Sequence, residues 1–185
     1  MKHFRLYFIF YILVCFSNAY AIDESDVFPE LVYKSALKEG NLDKISFYLQ
    51  LGHSSTEEDS EKIIPLGYGI KNNNKEMIDI LIRHGANINA QFLNKVTPLA
   101  YAVVLSRENL IGHLVSHGAD LNHQDNVGRT PLMIAIEKND LNCVKELLKH
   151  KFDLSLSDYA GNTIFDYLLH SRNSEIKRLI NLLKT

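Results

Sequence analysis

Three histidines, His84, His117 and His150, recur at intervals of 33 residues. Imidazole groups at a regular spacing are candidates for a metal site or for a pH-sensitive ladder. Neighbouring packed helices, however, lie about 8–10 Å apart, whereas zinc–nitrogen bonds are about 2.0–2.1 Å long. Side chains that project in parallel from successive repeats would therefore struggle to share one ion. We expect these histidines to bond free carbonyl groups at helix C-termini instead.

His113 and His117 form a second candidate pair, because residues four apart on one helix can approach a common ion. His113 falls in a stretch that we expect to face mostly toward the core. The sequence interpretation therefore assigns no metal ligand and no cofactor to the chain.

Residue patterns typical of catalysis are missing from the sequence. It contains no phosphate-binding glycine loop, no paired-cysteine zinc motif and no nucleophile elbow. Catalysis needs a nucleophile, a base and an orienting group that converge on one pocket. We expect no catalytic residues and no enzymatic activity.

The N-terminal segment 1–21 has the features of a cleavable signal peptide. Lys2 and Arg5 precede an apolar run, and the small residues Ala19 and Ala21 fit the cleavage pattern. The run is about half as long as the roughly 20 residues of a membrane-spanning helix, so an uncleaved anchor is the weaker alternative. We expect an exported chain that starts at Ile22, in a bacterial periplasm or outside the cell, with residues 22–30 as a lead-in.

The mature chain would be mildly acidic. Of the 20 basic and 22 acidic residues, only Lys2 and Arg5 would be lost, which leaves 18 against 22. Nucleic acid and anionic membrane surfaces reward clustered positive charge, so neither is an expected partner. No later stretch is long and apolar enough to insert into a membrane. Cys143 would be the one remaining thiol, and its apolar neighbours predict a buried residue rather than a reactive one.

A 33-residue repeat runs through the rest of the sequence. Thr97-Pro98-Leu99 returns as Thr130-Pro131-Leu132, and the same frame extends in both directions to give five units. Threonine can cap a helix that begins with proline, and apolar residues follow at helical spacing. A second apolar run and a glycine then follow, for example Gly118. Each unit is predicted to be two helices and a turn.

The segment Gly118-Ala119-Asp120-Leu121-Asn122, together with the Thr-Pro-Leu helix starts, resembles the ankyrin-repeat family. The resemblance implies an all-α solenoid of about five helix-turn-helix units with short β-turn fingers. The unit boundaries are about 31–57, 58–90, 91–123, 124–156 and 157–185. The terminal units depart from the family pattern and are interpreted as caps.

Family members usually bind partners on the concave side, which the finger turns and first helices form. Mapped onto this chain, the surface comprises these positions: Gln91, Phe92, Leu93, Asn94, Val104, Leu105, Asn126, Val127, Arg129, Glu137, Lys138, Tyr159 and Asn162. Phe92 replaces the usual finger aspartate. Phe92 and Leu93 either form an exposed apolar patch with Val104 and Leu105 or fold inward to fill an irregular finger.

The sequence thus predicts a monomeric scaffold that mediates protein–protein interaction with a partner of unknown identity. Two alternatives remain open: a secreted effector that binds a host protein, and a structural protein that associates with itself.

Overall fold

The computed structural model describes residues 29–92 and 94–184. The expected signal peptide, most of the lead-in and Leu93 lie outside the described residues. The described chain forms ten α-helices and a short 3-10 turn at Leu182–Lys184. In chain order the helices are α1 (Pro29–Glu39), α2 (Leu42–Gln50), α3 (Pro65–Lys71), α4 (Lys75–Arg83), α5 (Pro98–Val104), α6 (Glu108–Ser116), α7 (Pro131–Glu137), α8 (Leu141–Leu147), α9 (Ile164–His170) and α10 (Ser174–Asn181).

The first helices of units two to five begin in the predicted frame. They start at Pro65, Pro98, Pro131 and Ile164, each 33 residues after the one before. The Thr130 hydroxyl accepts a hydrogen bond from the backbone N–H of Met133, as expected for a capping threonine. Ile164 replaces proline in the last unit, where the Thr163 N–H and hydroxyl both donate to Asp166.

The second helices share a start signal that the sequence interpretation missed. The residues before them are spaced by 33, and four of the five cap the helix with a side-chain oxygen: Asn41, Asn74, Asp140 and Asn173. The remaining position, before α6, is occupied by Arg107, which provides no such cap. Asparagine and aspartate are favoured there because each satisfies an orphan amide of the first turn.

The core is a continuous column of apolar side chains that runs through the stack. Ile45, Ile78, Ile111 and Val144 occupy one position of successive second helices and are fully buried. Small residues such as Ala102 and Ala135 let the paired helices approach closely. First helices pack on first helices and second helices on second helices, so each hairpin buries its apolar face against its neighbour. The predicted five-unit helical solenoid is confirmed.

Cys143 lies fully buried in α8, as the sequence predicts. Burial, together with a hydrogen bond to the Asp140 carboxylate, raises the pKa of this thiol to about 12. Among the residues with described positions, no helix has the length and apolar character needed to span a bilayer.

Candidate functional site

Three fingers are joined edge to edge by backbone hydrogen bonds. Their described residues are 91–92 with 94–97, 124–130 and 157–163. The N–H of Asn126 donates to the carbonyl of Asn94 at 3.0 Å, and the N–H of Tyr159 donates to the carbonyl of Val127 at 3.0 Å. The Gln124 amide bridges two neighbouring fingers by donating to the Gly128 and Ser157 carbonyls. These bonds fix each finger relative to the next.

A buried aspartate organises each of the two C-terminal fingers from within. Asp125 is 1% exposed and accepts from the backbone N–H groups of Val127 and Arg129. Asp158 accepts from the backbone of Ala160 and Asn162 in the same way. An acceptor that holds two amides of one turn keeps that turn in a single conformation.

The charge of Asp158 is stabilised by its hydrogen bonds. The side-chain amide of Asn162, the Tyr167 hydroxyl and the backbone N–H groups lower the pKa of this carboxyl to about 2, against the opposing effect of burial. Asp158 therefore remains ionised throughout the physiological range.

Arg129 connects its finger to the helix that follows. Its guanidinium donates to Asp125 at 2.8 and 3.0 Å and to Glu137, at the end of α7, at 2.6 Å. Burial opposes the charge of Arg129, but the bonds to Asp125 and Glu137 outweigh it and raise its pKa. Lys138 donates to the carbonyl of Val104 in the preceding unit. Fingers and first helices thus form one connected surface.

Most of the side chains assigned to this surface from the sequence are exposed on it. Tyr159, 68% exposed, is the most accessible large apolar side chain among the described finger residues. Leu105 and Arg129 are half-buried, whereas the exposed members are Gln91, Asn94, Val104, Asn126, Val127, Glu137, Lys138, Tyr159 and Asn162.

Phe92 does not belong to the surface. It is 2% exposed, and its ring packs edge-on against Tyr101 with centroids 5.2 Å apart. For Phe92 the structure therefore supports the inward alternative, because the finger of unit three fills its interior with a ring where other units have an aspartate. Leu93 lies outside the described residues, so the predicted four-residue apolar patch is reduced to Val104 and the half-buried Leu105.

An open depression of about 250 Å³ lies on the same side of the molecule, between α7 and α9. Glu137 and Asp166 contribute carboxylates to its lining, and Asn162, Tyr167 and His170 contribute further polar groups. A shallow site rich in acceptors suits an amide or cationic group of a ligand.

The repeated histidines differ from one another in the structure. Nδ1 of His84 and Nδ1 of His117 lie 2.9 Å from carbonyl oxygens one helical turn earlier, as expected for histidines at helix C-termini. His150 instead has its Nε2 buried with no partner among the described residues. His113 lies in a mostly core-facing stretch, as expected, since Ile111 and Leu114 beside it are fully buried. Its own side chain is 20% exposed and contacts Asp79 of α4. The sequence interpretation missed Asp79, which is 34 residues away from His113.

A family model described as ankyrin repeats (3 copies) matches residues 33–125 and 108–182 of the chain. These two matches together cover nearly all the described residues. No curated protein matched the chain significantly.

Proposed function

Because this chain belongs to the ankyrin-repeat family, we propose that it is an exported scaffold that holds a protein partner on its fingers and first helices. Ankyrin repeats generally bind protein partners and are typically non-enzymatic interaction domains. We propose binding without catalysis for this chain as well.

The row of exposed side chains on hydrogen-bonded fingers carries the proposal. Asn94, Asn126, Val127 and Tyr159 are exposed on turns whose backbones bond to one another. A surface that is already ordered loses little conformational entropy when a partner binds, so more of the contact energy contributes to affinity.

The side chains of this row suit a protein partner. Tyr159 offers an exposed aromatic ring, and tyrosine and arginine are enriched among residues that dominate binding energy. The neighbouring depression offers the carboxylates of Glu137 and Asp166. We propose that a partner contacts Tyr159 with an apolar group and places an amide or basic side chain in the depression.

Export is the second part of the proposal and depends on the sequence of residues 1–21. Mass spectrometry of the protein recovered from outside the cytoplasm tests it directly. A chain that begins at Ile22 is the expected product. An intact Met1 on the exported protein would refute signal cleavage.

Affinity capture from the extracytoplasmic fractions of cells that produce the protein tests the binding surface. The bait is the wild-type chain, a Tyr159→Ala/Val127→Ser variant, or a Phe47→Ala variant. Phe47 is a matched control because it is also an exposed aromatic residue but lies on α2, away from the fingers. We expect a protein that is retained by wild type and Phe47→Ala and lost with the finger variant. Equal retention by all three baits would exclude the finger surface.

Light scattering distinguishes the structural alternative from the scaffold. A monomer at all concentrations agrees with the proposal, whereas growth in mass with concentration that Tyr159→Ala abolishes would favour self-association through the same surface. A captured protein that comes from a host rather than from the producing cell would favour the effector alternative.

A further inference from the structure

Three metal-binding side chains meet between the second helices of units two and three. Asp79 lies on α4, and His113 and His117 lie on α6. Nε2 of His113 is 2.8 Å from Oδ1 of Asp79, and Nε2 of His117 is 3.3 Å from the same oxygen. We propose that these residues form a binding site for a divalent transition-metal ion such as Zn²⁺.

The separations of the donor atoms suit such an ion. Two ligands at bond lengths of 2.0–2.2 Å in a tetrahedral site lie about 3.4 Å apart. The separation between His117 and Asp79, 3.3 Å, is close to that value, whereas the separation between His113 and Asp79, 2.8 Å, would have to widen by roughly half an ångström. All three donor atoms lie within 4.8 Å of one another. Side-chain rotations alone would bring them to a common ion.

The hydrogen bond of His117 directs its second nitrogen toward the site. A carbonyl oxygen only accepts, so Nδ1 of His117 must donate its proton to the His113 carbonyl 2.9 Å away. In the neutral ring, Nε2 then presents a lone pair toward the Asp79 carboxylate. A second proton on the ring, or a metal ion between the two atoms, relieves this repulsion. A hydrogen bond from the other ring nitrogen to a backbone carbonyl is also a regular feature of metal-bound histidine.

No competing cationic side chain neutralises Asp79 in the described part of the chain. The two histidines are the only ion-pair partners of its carboxylate there. The three side chains are between 20% and 39% exposed, so an ion can enter and water can complete its coordination. Two imidazoles and one carboxylate favour zinc, nickel or copper over calcium and magnesium, which prefer oxygen ligands.

The repeat itself shows that this donor set is particular to one interface. The corresponding positions of the preceding interface are Ser46, Ile80 and His84, and those of the following interface are Gly112, Glu146 and His150. A bound ion would connect α4 to α6 and so hold units two and three together. The site lies on the second helices, and it does not depend on the proposed binding function of the fingers.

Calorimetric titration of the full chain with zinc sulfate, without a histidine tag, tests the proposal. We expect one equivalent to bind. Asp79→Asn and His117→Ala should each weaken binding by more than about tenfold, a loss that even substitutions around metal ligands produce. His84→Ala is the matched control, because His84 has the same position and the same carbonyl bond one repeat earlier.

Thermal unfolding with and without zinc gives an independent measurement. Zinc should raise the melting temperature of wild type and His84→Ala, and not that of Asp79→Asn, while circular dichroism shows that each variant is folded. No stoichiometric binding to the wild type, or an equal loss of affinity in His84→Ala, would overturn the assignment. Binding that survives both Asp79→Asn and His117→Ala would place the ion elsewhere and overturn it as well.

Discussion

The Tyr167 hydroxyl donates a hydrogen bond of 2.8 Å to Oδ2 of Asp158, nine residues earlier in the chain. The bond ties the finger of unit five to the middle of α9. Tyr68 and Asp59 make the same contact in unit two at 2.5 Å. The phenol is thus a link between the turn that opens a unit and the helix that follows it.

Unit three retains the tyrosine of this pair but not the carboxylate. Tyr101 corresponds to Tyr167, and Phe92 stands where Asp158 does, with the two rings packed edge to face at 79°. The finger of unit three is therefore held by an apolar contact in place of a hydrogen bond. This difference supplies a control within one chain.

Tyr167→Phe should lower the free energy of unfolding by about 1–2 kcal/mol, because it removes a hydrogen bond to a charged acceptor. Tyr101→Phe should lower it by less than about 0.5 kcal/mol, since this phenol has no carboxylate at the paired position. Urea denaturation of both variants measures the difference. If both variants lose the same free energy of unfolding, the hydrogen bond from Tyr167 to Asp158 adds no stability to the packing of the tyrosine ring.

The stability of the protein should fall in acid. The pKa of Asp158 is lowered to about 2, and the pKa of Asp59 is also lowered, mainly because the Tyr68 hydroxyl and backbone amides outweigh the effect of burial. A carboxyl with a lowered folded pKa stabilises the fold above its unfolded pKa, near 3.9, and loses this contribution as pH falls toward the folded value.

The expected result is a free energy of unfolding that is level near neutral pH and declines between about pH 4 and pH 2. Asp158→Asn should be less stable than wild type at pH 7 and should lose less on acidification. Urea titrations at pH 7, 4 and 2.5 measure both slopes. If the free energy of unfolding of Asp158→Asn falls with pH as steeply as that of wild type, Asp158 is not a source of the acid sensitivity.

The fold could be predicted from sequence because each unit repeats local signals. Thr-Pro at a helix start and glycine after the second helix act over a few residues, and the 33-residue frame places them in register. The interior of an irregular finger could not be predicted, because Phe92 has no local signal that chooses between solvent and the Tyr101 ring. That choice depends on packing between segments.

The cluster at Asp79 was missed for a related reason. His113 and His117 are visible as a helical pair, but Asp79 approaches them only through the stacking of one unit on the next. Asp79 precedes His113 by one repeat plus one residue. This offset could be recognised in the sequence if neighbouring second helices were compared position by position. The apolar neighbours of His113 suggested burial, whereas its ring lies at the boundary between two helices.

Gly128→Ala should disrupt the junction between the last two fingers. Gly128 has a φ of +89°, and a methyl group on it would lie 2.5 Å from the backbone nitrogen of Tyr159. Gly161 has a φ of +85° and open space around it, so Gly161→Ala measures the backbone strain alone.

We expect Gly161→Ala to lower the free energy of unfolding by about 1–2 kcal/mol, the strain of a left-handed alanine. Gly128→Ala should lower the free energy of unfolding by about 1 kcal/mol more than Gly161→Ala does, because its methyl group also overpacks the junction. Chemical denaturation gives both values. If the two variants lose similar amounts of stability, the two fingers move apart to accommodate the methyl group on residue 128 at little cost.

Cys143 should be protected from alkylation in the native protein. It is fully buried, and its pKa of about 12 leaves almost no thiolate at pH 8. Iodoacetamide labelling followed by peptide mass spectrometry should modify Cys143 only after urea is added. Rapid labelling of the folded chain would show that α8 opens locally.

Replacement of Arg107 should stabilise the protein, because Arg107 interrupts the column of capping residues. It leaves the first turn of α6 without a side-chain cap, and its own Nε is buried with no hydrogen-bond partner within the described chain. Arg107→Asn should add the cap that Asn74 provides one unit earlier, and remove the unsatisfied donor.

The expected gain is about 0.5–1 kcal/mol in the free energy of unfolding, reduced by loss of the 3.2 Å bond from Arg107 to the Lys71 carbonyl. Arg107→Ala separates the two effects, since it removes the guanidinium and supplies no cap. In urea denaturation, the free energy of unfolding of the asparagine variant should be about 1 kcal/mol higher than that of the alanine variant. If the alanine variant is as stable as the asparagine variant or more stable, the missing cap is not what limits the stability of α6.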